Sequence, residues 1–227
     1  MLRAVIFDFN GIIVDDEPIH FELFQRVLEE EGIKLTQADY YARYLGCDDR
    51  GAITTAYREH GRALSHSKLA QLIDRKAAYY QEDIKSKMRV FPGVQSLVPR
   101  LAQKLPLAIA SGALRNEIEI ILSSMGLLAH FRAIVSAEDV TRGKPEPEIF
   151  IKALAQLNAA VSSNPLISPS ECLVIEDSKE GIRGARSAGM KCLAVTNSHP
   201  ARLLDEADSI VDSLEGIGQP QLEAICS

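Results

Sequence analysis

Three carboxylates, a hydroxyl and an ammonium each stand just past a short apolar run in this sequence. Asp8 closes Ala4–Phe7, Ser111-Gly112 closes Leu107–Ala110, and Glu176-Asp177 closes Cys172–Ile175; Lys144, in Gly143-Lys144-Pro145, follows Ala133–Val135 by a loop. A hydroxyl, the backbone amides after it at Gly112 and Ala113, and a lysine suit a phosphate. Two or three carboxylates beside them suit Mg²⁺, which takes oxygen ligands and often binds through carboxylates plus a substrate phosphate. A remaining carboxylate can attack phosphorus and carry an aspartyl-phosphate. Taken singly, each residue also has a plainer use. An Asp after a strand caps a helix or shapes a turn, Ser-Gly is a turn, and Gly-Lys-Pro is a solvated loop. Their order and shared position at run ends carry the inference.

The runs are too short for helices and rich in strand formers, so they read as buried strands. Cys192–Val195 and Ser209–Val211 extend the series, and helical patterns at 115–125, 147–157 and 181–188 lie between them. Alternating strands and helices predict an α/β fold with a doubly wound parallel sheet, whose ligands bind beyond the carboxyl ends of the strands. From Asp15 to Met88 no strand run occurs. Phe21, Phe24, Val27, Leu28 and, further on, Leu69, Leu72, Ile73 and Lys76 keep helical spacing. The expected organisation is an α/β core over 1–14 and 89–227, interrupted by a helical insertion over 15–88. Glu29-Glu30-Glu31 reads as a solvated helix end before Gly32.

The 227 residues carry 31 acidic and 25 basic side chains, a net charge of -6, with no Trp and 6% aromatics. That balance speaks against a nucleic-acid partner, which needs a basic stripe or a stacking platform. No apolar stretch approaches a membrane span, and the N-terminus lacks a signal-peptide pattern. Cys47, Cys172, Cys192 and Cys226 are far apart, which fits four reduced, mostly buried thiols in a cytoplasmic protein better than zinc or a disulfide framework.

Phe7-Asp8-Phe9-Asn10-Gly11, Ser111-Gly112, Gly143-Lys144-Pro145-Glu146-Pro147 and Glu176-Asp177-Ser178, followed by Gly181-Ile182-Arg183-Gly184-Ala185, come in the order of four motifs. In this the chain resembles the haloacid dehalogenase (HAD) superfamily, in the branch of phosphoglycolate phosphatases and β-phosphoglucomutases with a small helical cap. The resemblance covers essentially the whole chain. It implies a Rossmann-like core with a helical cap, and a Mg²⁺-dependent phosphoric monoester hydrolase. Asp8 would be the nucleophile and a metal ligand, Ser111 would hold the phosphoryl group, and Lys144 would screen charge between them. Asp177 and the backbone carbonyl of Asn10 would complete the metal shell, with Glu176 either a further ligand or a partner of the ligands. Positioning and charge neutralisation would be the protein's main tasks.

The family pattern is Asp-x-Asp, and this chain has Asp8-Phe9-Asn10. The second Asp of the pattern acts as general acid and base, and an amide does neither at neutral pH. Four accounts compete: Asp15, Asp16 or His20 does the proton work; the leaving group needs little protonation; the protein turns over weakly or only binds; or Asn10 is an engineered replacement. Asn10-Gly11 is also a dipeptide prone to deamidation, which would regenerate an acid.

The same resemblance gives the cap the task of recognising the leaving group. His20 lies near its start, where mutases of this branch use a His in proton control; a partly exposed helical His is the plainer reading. The loop Tyr44-Leu45-Gly46-Cys47-Asp48-Asp49-Arg50 resembles a specificity loop, in which Gly46 permits a tight turn and Arg50 clamps an anion or pairs with Asp48 or Asp49. Lys76 is a further substrate candidate, against the plainer expectation of a surface lysine. His60, His66, His130 and His199 receive no role, and Ser178 and Asn116 are either site residues or helix caps. The leading expectation is a monomeric phosphatase acting on a small phosphorylated metabolite. Alternatives are a β-phosphoglucomutase-like isomerase and a low-activity phosphate-metabolite binder. A dehalogenase, which needs no acidic pair with Mg²⁺, and a phosphonatase using Lys76 as a Schiff base fit less well.

Overall fold

A computed structural model describes residues 1–44, 47, 49–87, 89–162 and 164–226, with the backbone alone for 81 and 83–87. Leu45, Gly46 and Asp48 of the expected specificity loop lie outside them. The chain divides into two compact units, Met1–Asp15 with Arg89–Ser227, and Asp16–Met88.

The first unit is built on a parallel sheet. Its strands are β1 (Ala4–Phe7), β4 (Leu107–Ala110), β5 (Phe131–Val135), β6 (Cys172–Glu176), β7 (Lys191–Val195) and β8 (Ser209–Val211), in the order β5-β4-β1-β6-β7-β8. Helices α5 (Val94–Ala102), α6 (Arg115–Ser124), α7 (Glu148–Val161), α8 (Lys179–Ser187) and α9 (Gln219–Ile225) belong to the same unit. Every residue of β1, β4 and β6 is buried. Layers on both faces leave no solvent side, which is why these strands are continuous apolar runs rather than alternating ones. Ile6, Ala108 and Val174 pack on Phe150, Leu154, Ile182 and Ala185 of α7 and α8. β1 is the switch point. The chain builds outward from it to β4 and β5 on one side, then to β6, β7 and β8 on the other, opening a crevice beyond its carboxyl end.

A second ladder went unread in the sequence: β2 (Val14–Asp15) pairs antiparallel with β3 (Arg89–Val90), Val14 opposite Val90 and Asp15 opposite Arg89. Pairs of residues this short carry no periodicity. The pairing ties Asp15 to Arg89, and the second compact unit starts at Asp16.

The second unit contains α1 (Glu17–Glu29), α2 (Gln37–Arg43), α3 (Asp49–Glu59) and α4 (His66–Lys87). Pro18 sits in the first turn of α1, where no donor is lost, and Thr36 caps α2 by accepting from Asp39 N. Phe24, Val27, Leu28, Tyr40, Ile53, Tyr57, Leu69 and Leu72 form this unit's own core. The acidic run is less solvated than its composition suggests. Glu31 pairs with Lys68 at 2.7 Å and Arg75 at 3.3 Å, and Glu30 pairs with Arg75 at 2.7 Å. All four cysteines are unpaired; Cys47 is exposed and the other three are buried. Among the described residues, no helix is long and apolar enough to cross a membrane.

Candidate active site

The carboxyl ends of β1 and β6 bring three acids together. Asp8, Glu176 and Asp177 are buried and each offers an oxygen within 4.8 Å of the others. Asp8 N donates to Ile175 O at 2.9 Å, so the sheet ladder itself delivers the Asp8 side chain to the crevice. Lys144 Nζ donates to Asp8 Oδ1 and to Glu176 Oε1, both at 2.6 Å. Ser111, 1% exposed at the end of β4, accepts from Ala113 N at 3.1 Å through its Oγ. That bond folds the Ser111–Ala113 turn into the shape of an amide-lined loop ahead of α6.

Two glycines make the packing feasible. Gly11 has φ +80, and a Cβ there would lie 1.9 Å from Asp177 Oδ2. A Cβ on Gly181, in the first turn of α8, would lie 1.7 Å from Glu176 Oε1. Glu176 can therefore rest against the helix start. Its Oε2 accepts from Asp177 N and Ser178 N at 2.9 Å and from Ser178 Oγ at 2.8 Å. Ser178 also caps α8, its Oγ accepting from Gly181 N at 3.1 Å, so the cap and the site role hold together.

The electrostatics separate the three acids. Burial pushes the Asp8 carboxyl up to about 6; Lys144 pulls it down, and Glu176 adds to the rise. Burial, then Glu176 and Asp8, raise Asp177 well above the usual aspartate value. Burial also works against ionised Glu176, yet Lys144 and the Ser178 donors outweigh it and hold that carboxyl low. Three carboxylates against one ammonium leave a formal surplus of two negative charges, the amount that one divalent cation cancels. The donor set is all oxygen, which fits a hard cation such as Mg²⁺.

Asn10 is half-buried, in a turn where Ile12, Ile13 and Val14 all donate backbone N–H to Phe9 O. The next residues after β7 were not singled out in the sequence. Asn197 donates through Nδ2 to Gly11 O at 2.6 Å, and Ser198 O–H donates to Asp177 Oδ2. His199, given no role above, donates through Nδ1 to Asp177 O at 3.2 Å. The strand-end rule that found Asp8 and Ser111 would have found them, had it been applied to Cys192–Val195.

Within the helical unit, His20 and Lys76 meet. Lys76 Nζ donates to His20 Nδ1 at 2.8 Å and to Asp49 Oδ1 at 2.6 Å. A lysine ammonium only donates, so Nδ1 is the acceptor and Nε2–H faces Asp16 Oδ2 at 3.2 Å. Tyr80 O–H donates to the same Asp16 oxygen at 2.9 Å. Lys76 is 2% exposed, which corrects the expected surface lysine: its ammonium lies 4.2 Å over the Phe24 ring and is paired with Asp49. Arg50 is exposed at the start of α3 and, among the described residues, shares no hydrogen bond with this cluster.

The sequence profile described as Haloacid dehalogenase-like hydrolase matches residues 5–195. The chain belongs to that family, and it is an enzyme of the hydrolase class. Its relatives bear out the branch as well. A phosphorylated carbohydrates phosphatase of Thermotoga maritima is 31% identical over 193 residues, covering 84% of this chain and 83% of that one. The β-phosphoglucomutase of Bacillus subtilis is 30% identical over 205 residues, 88% of this chain and 85% of its own. CbbY of Rhodobacter sphaeroides, solved in complex with phosphate, shares the fold, with a TM-score of 0.83 at 21% identity over 98% of this chain and 100% of that one.

Proposed function

We propose that this chain is a Mg²⁺-dependent phosphatase of small phosphorylated metabolites, monomeric and cytoplasmic, working through an aspartyl-phosphate on Asp8. The observation that carries the reading is the Lys144 ammonium bridging Asp8 and Glu176, at the sheet's switch point and beside Asp177. Asp8, Glu176, Asp177 and the Asn10 carbonyl would hold the cation, which when bound neutralises charge on the phosphoryl oxygens. Lys144 fixes the orientation of the Asp8 carboxylate, whose oxygen attacks phosphorus as the bond to the leaving oxygen breaks. The Ser111 hydroxyl and the amides of Gly112 and Ala113 receive the phosphoryl oxygens.

Asn10 sets the rate. Its amide hydrogen-bonds but transfers no proton, so protonating the leaving oxygen and activating water on the phospho-Asp8 both lack their usual group. Turnover is expected to lie about 10²- to 10⁴-fold below that of the Asn10→Asp variant. The test is a phosphomonoester panel with Mg²⁺ on this chain, Asn10→Asp and Asp8→Ala. Activity that persists in Asp8→Ala overturns the proposal, and no gain in Asn10→Asp assigns the proton work to another residue. The same Asn10 favours hydrolase over mutase, since the mutase leans harder on the second acid. It also supports a second reading, a phosphate-metabolite binder. Mg²⁺ and phosphate would then stabilise the protein to heat while hydrolysis of the panel by the Asn10 chain stays at background.

A further inference from the structure

The segment after β7 reaches the acidic cluster from a side that none of the four motifs covers. Three successive residues hold both loops that carry the acids. Asn197 Nδ2 is bonded to Gly11 O at 2.6 Å, Ser198 O–H to Asp177 Oδ2, and His199 Nδ1 to Asp177 O at 3.2 Å. Gly11 closes the same corner, because a Cβ there would lie 1.9 Å from Asp177 Oδ2 and 2.9 Å from Ser198 Oγ. One oxygen of Asp177, Oδ2, is thus backed against a hydroxyl and a glycine backbone, in a carboxylate that belongs to the cluster with Asp8 and Glu176.

We propose that Ser198 is a positioning residue that keeps Asp177 Oδ2 occupied, so that Asp177 meets the cation through a single oxygen and the site favours Mg²⁺ over Ca²⁺. The physical reason is coordination. Mg²⁺ demands near-octahedral geometry with short, single-oxygen contacts, whereas Ca²⁺ accepts more oxygens and takes carboxylates through both. A carboxylate pinned by one oxygen suits the first ion and penalises the second. The inference rests on the metal reading proposed above and adds to it a determinant of which metal. Partners that orient ligands in this way commonly change metal affinity when removed, without touching the ion.

The test is calorimetric titration of the metal-free, full-length protein with MgCl₂ and with CaCl₂, for the natural chain, Ser198→Ala and Ser198→Thr. The expected result for Ser198→Ala is a fall of about tenfold in the ratio of Mg²⁺ to Ca²⁺ affinity, carried mostly by weaker Mg²⁺ binding. Ser198→Thr keeps the hydroxyl and restores the ratio. Should the alanine variant fail to fold, Ser198→Val against Ser198→Thr makes the same comparison at equal side-chain shape. An unchanged ratio in the variants lacking the hydroxyl overturns the inference, including the case where only the metal-free melting temperature falls, which is a purely structural role. Natural protein that binds neither ion overturns the metal reading itself, and the two failures are told apart by that first titration.

Discussion

Asn10 and Gly11 are the residues at which local chemistry and packing pull in opposite directions. Deamidation needs the Gly11 nitrogen to attack the Asn10 side-chain carbonyl carbon. In the fold, Gly11 N donates to Val14 O at 2.9 Å, and the turn is pinned by the Phe9 carbonyl on one side and by Asn197 on the other. The attacking nitrogen is therefore committed, and its reorientation would break the turn under the acidic cluster. Peptide mapping of incubated folded protein is expected to show Asn10 intact under conditions that convert it in the urea-unfolded chain. Any phosphatase activity then belongs to the Asn10 form; activity rising in proportion to a converted fraction would reverse that conclusion.

The first turn of α8 is the element that decides whether Glu176 can ionise where it lies. The backbone N–H groups of Asp177 and Ser178, just ahead of that turn, and the Ser178 hydroxyl satisfy one carboxylate oxygen while Lys144 satisfies the other. The positive end of the helix dipole adds to this. Contact at that distance requires a residue with no side chain at 181. Gly181→Ala pushes a methyl group into the carboxylate and is expected to cost about 1–3 kcal/mol of stability by urea denaturation. Mg²⁺ affinity should fall with it, since Glu176 and the Lys144 bridge must shift together. A variant as stable as the natural protein would mean that the helix start yields more easily than its hydrogen bonds suggest.

For the molecule as a whole, the cluster sets a pH dependence. Asp8, at about 6, and Asp177, also raised by burial, bind protons more tightly folded than unfolded, where the carboxyls titrate near 3.8. Protonating either one therefore stabilises the metal-free fold. That stability is complete below the unfolded value and is lost as pH rises through the folded ones. The metal-free melting temperature is accordingly expected to climb as pH is lowered from 8 towards 5. Saturating Mg²⁺ should flatten or reverse the trend, because it needs the ionised acids; a flat metal-free profile would contradict the burial argument. The two-unit organisation gives a second expectation. Val14–Asp15 and Arg89–Val90 are paired neighbours, and Asp8, Lys144, Glu176 and Asp177 all lie in the first unit. Replacing residues 16–88 with a short Asn-Gly hairpin turn should leave a folded sheet by circular dichroism that still binds Mg²⁺ by calorimetry, with specific substrate turnover lost.

The alternation of buried runs and helical spacing was enough to read the parallel sheet, because strands covered on both faces must be apolar throughout. Asp8, Ser111 and Glu176-Asp177 were legible as candidates for a related reason: a polar residue that closes such a run stands out from it, and Lys144 stood out as the lysine in the loop after one. Asn10 was visible only as a departure from a pattern. The β2–β3 ladder was not legible, since two residues make no period, and its partners are separated by the whole helical insertion. Nor was the burial of Lys76, whose side chain is excused from solvent only because Asp49, His20 and Phe24 arrive from other parts of the second unit. Ser198 and Asn197 lay in plain sight after an apolar run, but their hydroxyl and amide acquire meaning only from what stands opposite. Local spacing determines which residues leave the core and at which end of the sheet. The partners that fix their charge, orientation and freedom come from distant sequence, and only the folded chain brings those together.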